Sequence, residues 1–336
     1  MASYRPDPTI GEPPANLENE DAGVQAYWKA QEQLAAKNYP GALEAVQEAL
    51  TAGCGLHESH ALTLRGTLYF LMGDTEHALE DFNRALELDP SHIPTYLKKA
   101  NVYTERQRIM DTIGALEAAS QVPNSDQTEV HYQKGQVFFI SNEFEHAIKE
   151  FEEAIKLDPT FIFPYIQMAV CQYKNGNTSA AEAKFREILA KFPDNSDVYN
   201  YYAEILADQR KFDEALTTFD KAIELDPDNA VAMVNKALML YQWQHDTTGA
   251  MKLVKTALTR DPDCEVAIAT ASQICLQMGQ FTEALDYLTR AVELAKSEEE
   301  VISAITIRES TKTQIRILRE NPELVSKMAT SFNLTQ

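Results

Sequence analysis

Cysteine is scarce in this chain. Four occur among 336 residues, Cys54, Cys171, Cys264 and Cys275, and no two are spaced as Cys-x-x-Cys. That pattern supports neither a disulfide framework nor a zinc site and suits a reducing compartment. Glycine (12) and proline (14) are too few for collagen-like or low-complexity structure. Positive charge is also short: 30 Lys and Arg stand against 51 Asp and Glu, a net charge of −21. Phosphate binding needs clustered cations, so the balance argues against nucleic acid as the main ligand and against anionic membrane surfaces. It suits basic or amphipathic polypeptides. No run approaches the ~18 apolar residues of a spanning helix. The opening MASYRPDPTIGEPPANLENED has neither the apolar core of a signal peptide nor the arginine-rich character of a transit peptide. Residues 1–22 read as a flexible lead-in, and the chain is expected to be soluble, without membrane insertion of its own.

What the chain does have is a period. Pro90, Pro123, Pro159, Pro193, Pro227 and Pro262 recur every 33 to 36 residues, four of them in the settings ALELDP, AIKLDP, AIELDP and LTRDP. Each closes a helical pattern, since proline cannot continue the hydrogen-bond ladder. The preceding aspartate is expected to cap the next helix. A 34-residue unit ending in proline, with small residues at positions 8, 20 and 27 and aromatics near 4, 11 and 24, is the tetratricopeptide pattern. Residues 59–92 supply Gly66, Tyr69, Ala78, Phe82, Ala85 and Pro90 at positions 8, 11, 20, 24, 27 and 32. Residues 128–161 supply Gly135, Phe138, Ala147, Phe151, Ala154 and Pro159. Small residues let the helix axes approach and aromatics fill the remaining wedge. Neither helix of a unit buries its apolar stripe alone, so stacking makes the core.

The fold class expected is therefore all-α, a tetratricopeptide-repeat right-handed superhelical solenoid of about seven repeats plus C-terminal capping helices. The array spans 23–298. The cap covers 299–336, with a long helix over roughly 299–319, a break at Asn321–Pro322 and a short last helix. Residues 93–127 have a degenerate second helix, and 230–264 carry one extra residue near Gly249.

Catalytic chemistry is hard to find. Gly53-Cys54-Gly55 lacks the lysine and flanking pattern of a phosphate loop. His57 and His60 are three apart without a third ligand and read as polar surface residues. Cys171 and Cys275 fall at inward positions and read as small core hydrophobes. No enzyme activity and no cofactor or metal is expected.

The work of such a solenoid falls to first-helix positions 2, 5, 9, 12 and 13, on the concave face. In 128–161 these include Tyr132, Gln136 and Phe139. Residues 162–195 offer Phe163, Ile166, Val170 and Tyr173, and 230–264 offer Val234, Leu238 and Tyr241. Residues 196–229 differ: Asp197, Glu204 and Asp208 make an acidic band. The lysine-and-asparagine clamp that receives chaperone tails is absent from these positions. Such a trough would take an apolar or amphipathic segment whose basic residues meet the acidic band. The same residues could equally pack against a neighbouring turn, the C-terminal cap or a second copy. A constitutive scaffold or a co-chaperone is the alternative function.

Several stretches resemble one family in particular. HYQKGQVFFI (131–140), FIFPYIQMAVCQYKNG (161–176), KFPDNSDVYNYYAEILADQRKFDEAL (191–216), PDNAVAMVNKALMLYQWQHD (227–246), LAKSEEE (294–300) and NPELVSKM (321–328) resemble the seventy-kilodalton preprotein receptors of the mitochondrial outer-membrane translocase. The likeness covers about residues 59–328 and matches the family's C-terminal repeats. It implies a non-enzymatic receptor on the cytosolic face of the mitochondrial outer membrane. Its partners would be preproteins, carrier-type precursors among them, and other translocase subunits. By that resemblance Ile274, in SQICLQ, falls in the preprotein-binding pocket. It also implies that the chain is the C-terminal part of a longer receptor, with anchor and chaperone clamp lying outside it.

Overall fold

A computed structural model describes residues 14, 16–36, 38–123, 125–295 and 298–321. The residues after Asn321, where a short last helix was expected, and most of the expected lead-in lie outside that range. The described residues form eight pairs of α-helices and one long final helix, one pair more than the expected seven or so. The expected span 23–298 has room for about eight 34-residue units, and every weak unit, including 93–127, forms both of its helices.

The chain divides into two units, Met1–Cys171 and Gln172–Gln336. The first holds α1 (Ala22–Ala35) with α2 (Tyr39–Ala52), α3 (Glu58–Leu71) with α4 (Thr75–Leu88), α5 (Ile93–Glu105) with α6 (Ile109–Ser120), and α7 (Thr128–Ile140) with α8 (Phe144–Leu157). It also holds most of α9 (Ile162–Lys174). The second holds α10 (Thr178–Lys191), α11 (Ser196–Asp208) with α12 (Phe212–Leu225), and α13 (Ala230–Gln242) with α14 (Thr247–Arg260). It ends with α15 (Glu265–Gln277), α16 (Phe281–Leu294) and α17 (Glu298–Glu320). Within each unit the hairpins stack in sequence order, and successive first helices touch, as α5 does α7 and α13 does α15.

The repeat chemistry explains the packing. Phe82, Phe151, Phe185 and Phe219, all at position 24, are fully buried, and the alanines of positions 20 and 27 beside them meet no solvent, Ile188 taking position 27 next to Phe185. Burying one such ring contributes about 1.5–3 kcal/mol. Gly135 faces Phe151 so closely that a Cβ there would lie 2.4 Å from the ring. Hairpin turns follow one rule: the residue at position 15 takes positive φ, as at Gly73, Gln107, Asn142, Gly176, Arg210 and Gly279. In 230–264 the extra residue is absorbed here, in a four-residue turn from Trp243 to Asp246 with His245 at φ 54°. It does not enter the helix near Gly249.

The aspartates before proline act differently from expectation. Asp89, Asp158 and Asp226 sit at the C-terminal ends of α4, α8 and α12, and each carboxylate accepts from the backbone N–H two residues on, at 2.9–3.0 Å. They turn the chain around the proline. After Asp226 the cap of α13 falls to Asn229, whose side chain accepts from Ala232. Asn195 caps α11 in the same way after Phe192–Pro193, whereas His92 makes no side-chain capping bond at the start of α5.

An ion pair ties the α3–α4 hairpin internally. Arg65 on α3 donates from Nε and Nη2 to the two carboxylate oxygens of buried Asp81 on α4, both at 2.7 Å. The pair raises the Arg65 pKa, chiefly through this hydrogen bond. Asp81→Ala strands the guanidinium and is expected to cost about 1.5–3 kcal/mol. Chemical denaturation of the variant checks it, and a loss under 0.5 kcal/mol would show the pair to be idle.

Candidate functional site

The first helix of each repeat is buried on two sides, and the remaining face is the candidate site. Position 5 turns into the hairpin. Tyr132 packs against Phe151 and Phe161, at ring separations of 5.8 and 4.9 Å, and Ile166 and Val234 are fully buried. Position 10 is likewise internal in every repeat from Leu68 to Ile274. Tyr132, Ile166, Val234 and Ile274 thus hold the hairpins together and present no surface to a ligand in this structure. Positions 9 and 12 behave otherwise: Gln136, Phe139, Val170, Tyr173, Leu238 and Tyr241 are all half-buried. Phe163 is half-buried too, 6.2 Å from Phe161.

In the first unit these positions open onto a cavity of about 1020 Å³. Gln31, Thr67, Asn101 and Gln136 reach it from position 9 of α1, α3, α5 and α7, and Phe70, Thr104 and Phe139 from position 12. Leu71, Glu105 and Ile140 stand at its rim, and Lys98, Gln133 and Gln167 enter from position 6. Such a volume lies at the upper end of the ~300–1,000 Å³ usual for ligand pockets. Of the expected site residues it gathers Gln136 and Phe139. Sequence reasoning did not assign position 6 to the site. Its regular 34- to 35-residue spacing through Lys98, Gln133 and Gln167 was the available signal.

The second unit brings Val234, Leu238, Tyr241 and Ile274 into one apolar cluster, with Leu238 and Tyr241 on its outer side. Its acidic residues are unusual. The carboxylate of Glu204 accepts from the side-chain amides of Asn200 (2.9 Å) and Asn235 (2.7 Å), and Asp197 accepts from Asn229 at 3.4 Å. No lysine or arginine among the described residues pairs with either. Burial raises the pKa of both, and the Asp208 charge adds to the effect on Glu204. Burial and Asp208 also raise the Tyr173 hydroxyl. Asp208 itself is exposed.

Other candidates resolve as packing. His57 stacks on Tyr27 at 5.3 Å, and His60 lies 4.4 Å from His92, whose Nδ1 is 2.6 Å from the Thr95 hydroxyl. The pair expected at the surface is partly buried between repeats. Cys171 and Cys275 are fully buried, which pushes their thiols up to about 12 and about 11. Among the described residues no helix is long and apolar enough to cross a membrane, and no His, Cys, Asp and Glu group is arranged for a metal.

Sequence models of the tetratricopeptide repeat match residues 60–92, 128–161, 168–230, 206–264 and 244–306, together more than half of the chain. The chain belongs to the tetratricopeptide-repeat family. Within that family it is similar to mitochondrial import receptor subunit TOM70. The human protein is 28% identical over 305 residues, 88% of this chain and 50% of that one. The Saccharomyces cerevisiae protein is 34% identical over 283 residues, 81% of this chain and 45% of that one. The crystal structure of yeast Tom70 superposes with a TM-score of 0.78 at 29% identity, covering 95% of this chain and 70% of that chain. The resemblance first seen in a few segments therefore runs along most of the tetratricopeptide array. The chain spans about half the length of the curated TOM70 relatives it matches.

Proposed function

We propose that this tetratricopeptide array is the preprotein-binding part of a mitochondrial import receptor. It works at the cytosolic face of the outer membrane and takes apolar or amphipathic internal segments of preproteins, carrier-type precursors among them, for transfer to other translocase subunits. The observation that carries this reading is the similarity to TOM70 across most of the chain. The half-buried apolar residues at positions 9 and 12 support it, because stacking of hairpins does not need them there. The carboxylates Glu204 and Asp197, which meet amides and no lysine or arginine among the described residues, suit basic residues of a ligand. Burying ~500 Å² of apolar ligand surface yields roughly 12 kcal/mol gross. Association costs of about 4–15 kcal/mol offset most of that, so binding is weak and fast-exchanging.

The test is direct capture of carrier-type precursors synthesised in vitro, with a cytosolic protein without targeting information as control. Ile140→Glu places a charge on the exposed rim of the first-unit cavity. It is expected to reduce precursor capture about tenfold, with stability changed by no more than about 0.5 kcal/mol. Equal retention of precursor and control would remove the receptor reading. One tight, constitutive partner in its place would identify a scaffold.

A further inference from the structure

The first-unit cavity has a floor as well as walls. Its walls come from the first helices, but Phe82 of α4 and Thr112 and Leu116 of α6 line it too. It therefore reaches past the first helices to the layer of second helices. With Gln133 and Val137 of α7 these are its buried lining residues. The sequence gives a reason for the opening. Position 24 is phenylalanine in the repeats on either side, Phe82 and Phe151, but leucine, Leu116, in the degenerate unit 93–127. In a close-packed array a leucine fills less of that wedge than a ring does.

Gln133 is out of keeping with such a floor. It is 7% exposed, its Oε1 is buried, and its amide has no hydrogen-bond partner among the described residues, which is costly for a buried polar group. The other polar residue of the floor is satisfied: the Thr112 hydroxyl donates to the Arg108 carbonyl at 3.1 Å. A ligand that enters here gains by bringing Gln133 a partner.

The surroundings narrow the chemistry of that ligand. No charged side chain is among the buried lining residues, so an ion would lose its water without compensation. Lys98 and Glu105, the two charged residues of the whole lining, are of opposite sign. A polypeptide main chain pressed onto this floor would bury its own N–H and C=O groups. A compact ring with one hydroxyl avoids both penalties. Its ring takes the apolar contacts, and its hydroxyl both donates and accepts, so it meets a carboxamide whichever way the amide is turned.

We infer that the floor of the first-unit cavity binds small uncharged ring compounds bearing a hydroxyl, with Gln133 bonding the hydroxyl and Phe82, Leu116 and Val137 holding the ring. This site goes beyond the receptor reading. The proposed preprotein surface uses half-buried residues of positions 9 and 12, whereas this floor is made of buried residues beneath them.

Equilibrium dialysis of the full chain against 2-naphthol and against naphthalene tests it. Apolar burial alone ranks naphthalene first, because the hydroxyl makes the ring less apolar. The unaltered protein is nevertheless expected to bind 2-naphthol at least fivefold more tightly. Gln133→Leu should weaken 2-naphthol about five- to tenfold and reverse the preference. Leu116→Phe returns the ring found in neighbouring repeats and should weaken both compounds at least tenfold, with circular dichroism to verify the fold. Naphthalene binding as tightly as 2-naphthol to the unaltered protein overturns the inference, as does binding of neither compound. Unchanged affinity for 2-naphthol in Gln133→Leu overturns it too. Precursor capture is a separate measurement, so the receptor reading stands or falls independently of these results.

Discussion

Phe151→Ala is expected to lower the stability of the α7–α8 hairpin by about 3–5 kcal/mol, the usual cost of a large cavity in a core that cannot collapse around it. The ring is fully buried and meets Tyr132 at 5.8 Å, while the three atoms nearest a Cβ on Gly135 all belong to it. Gly135→Ala in the unaltered chain sets two effects against each other. A helical alanine is worth about 1 kcal/mol over glycine. A methyl forced to within 2.4 Å of a ring costs about 1–3 kcal/mol in overpacking. The clash wins, and the variant loses stability. In the Phe151→Ala background the ring is gone, so the same Gly135→Ala change should stabilise. That reversal of sign is a coupling that only direct contact produces. Hydrogen exchange of the α7 and α8 amides is the readout, because a repeat array need not unfold in one step. Equal effects in both backgrounds would show that position 8 is small for some reason other than the aromatic at position 24.

Residues that pack within one repeat were legible, because their spacing is set by the helix period and a 34-residue translation. Gly66, Gly135, Phe82 and Phe151 were all placed correctly by position alone. The concave face was only half legible. Tyr132, Ile166 and Val234 share a helix face with Gln136, Val170 and Leu238, four residues on, yet the first three are buried and the others half-open. Four residues carry a helix about 40° past a full turn. Position 5 is covered within the hairpin while position 9, rotated by that much, is left beside it, a difference that hydropathy does not encode. The aspartates before proline misled for a related reason: Asp serves helix caps and Asx turns equally well, and which backbone N–H it meets depends on the turn. Asn200 and Asn235, which hold Glu204, are 35 residues apart and carry no local signal.

Glu204→Gln should stabilise the protein at neutral pH and weaken its hold on basic ligands. Burial raises the carboxyl pKa in the folded chain above its unfolded value. A group shifted in that direction supports the fold below its unfolded pKa and loses that support as pH rises through the folded pKa. At pH 7 the ionised Glu204 therefore works against folding. Glutamine removes the charge and keeps an oxygen for the Asn200 and Asn235 amides. The thermal midpoint should rise at pH 7, and the gap should close as pH falls below the ordinary glutamate range. Ligands whose apolar segment is flanked by lysine or arginine should bind about tenfold more weakly to the variant. Their affinity should also depend less on salt, since one partner of the attraction is gone. Uncharged ligands should bind unchanged. A lower midpoint at pH 7 would mark Glu204 as a structural acceptor, and unaltered affinity for basic ligands would remove it from the binding face. A carboxylate that weakens the fold and, among the described residues, pairs only with amides is held there against stability. Attraction for a cation on the proposed ligand is a physical reason that would account for both properties.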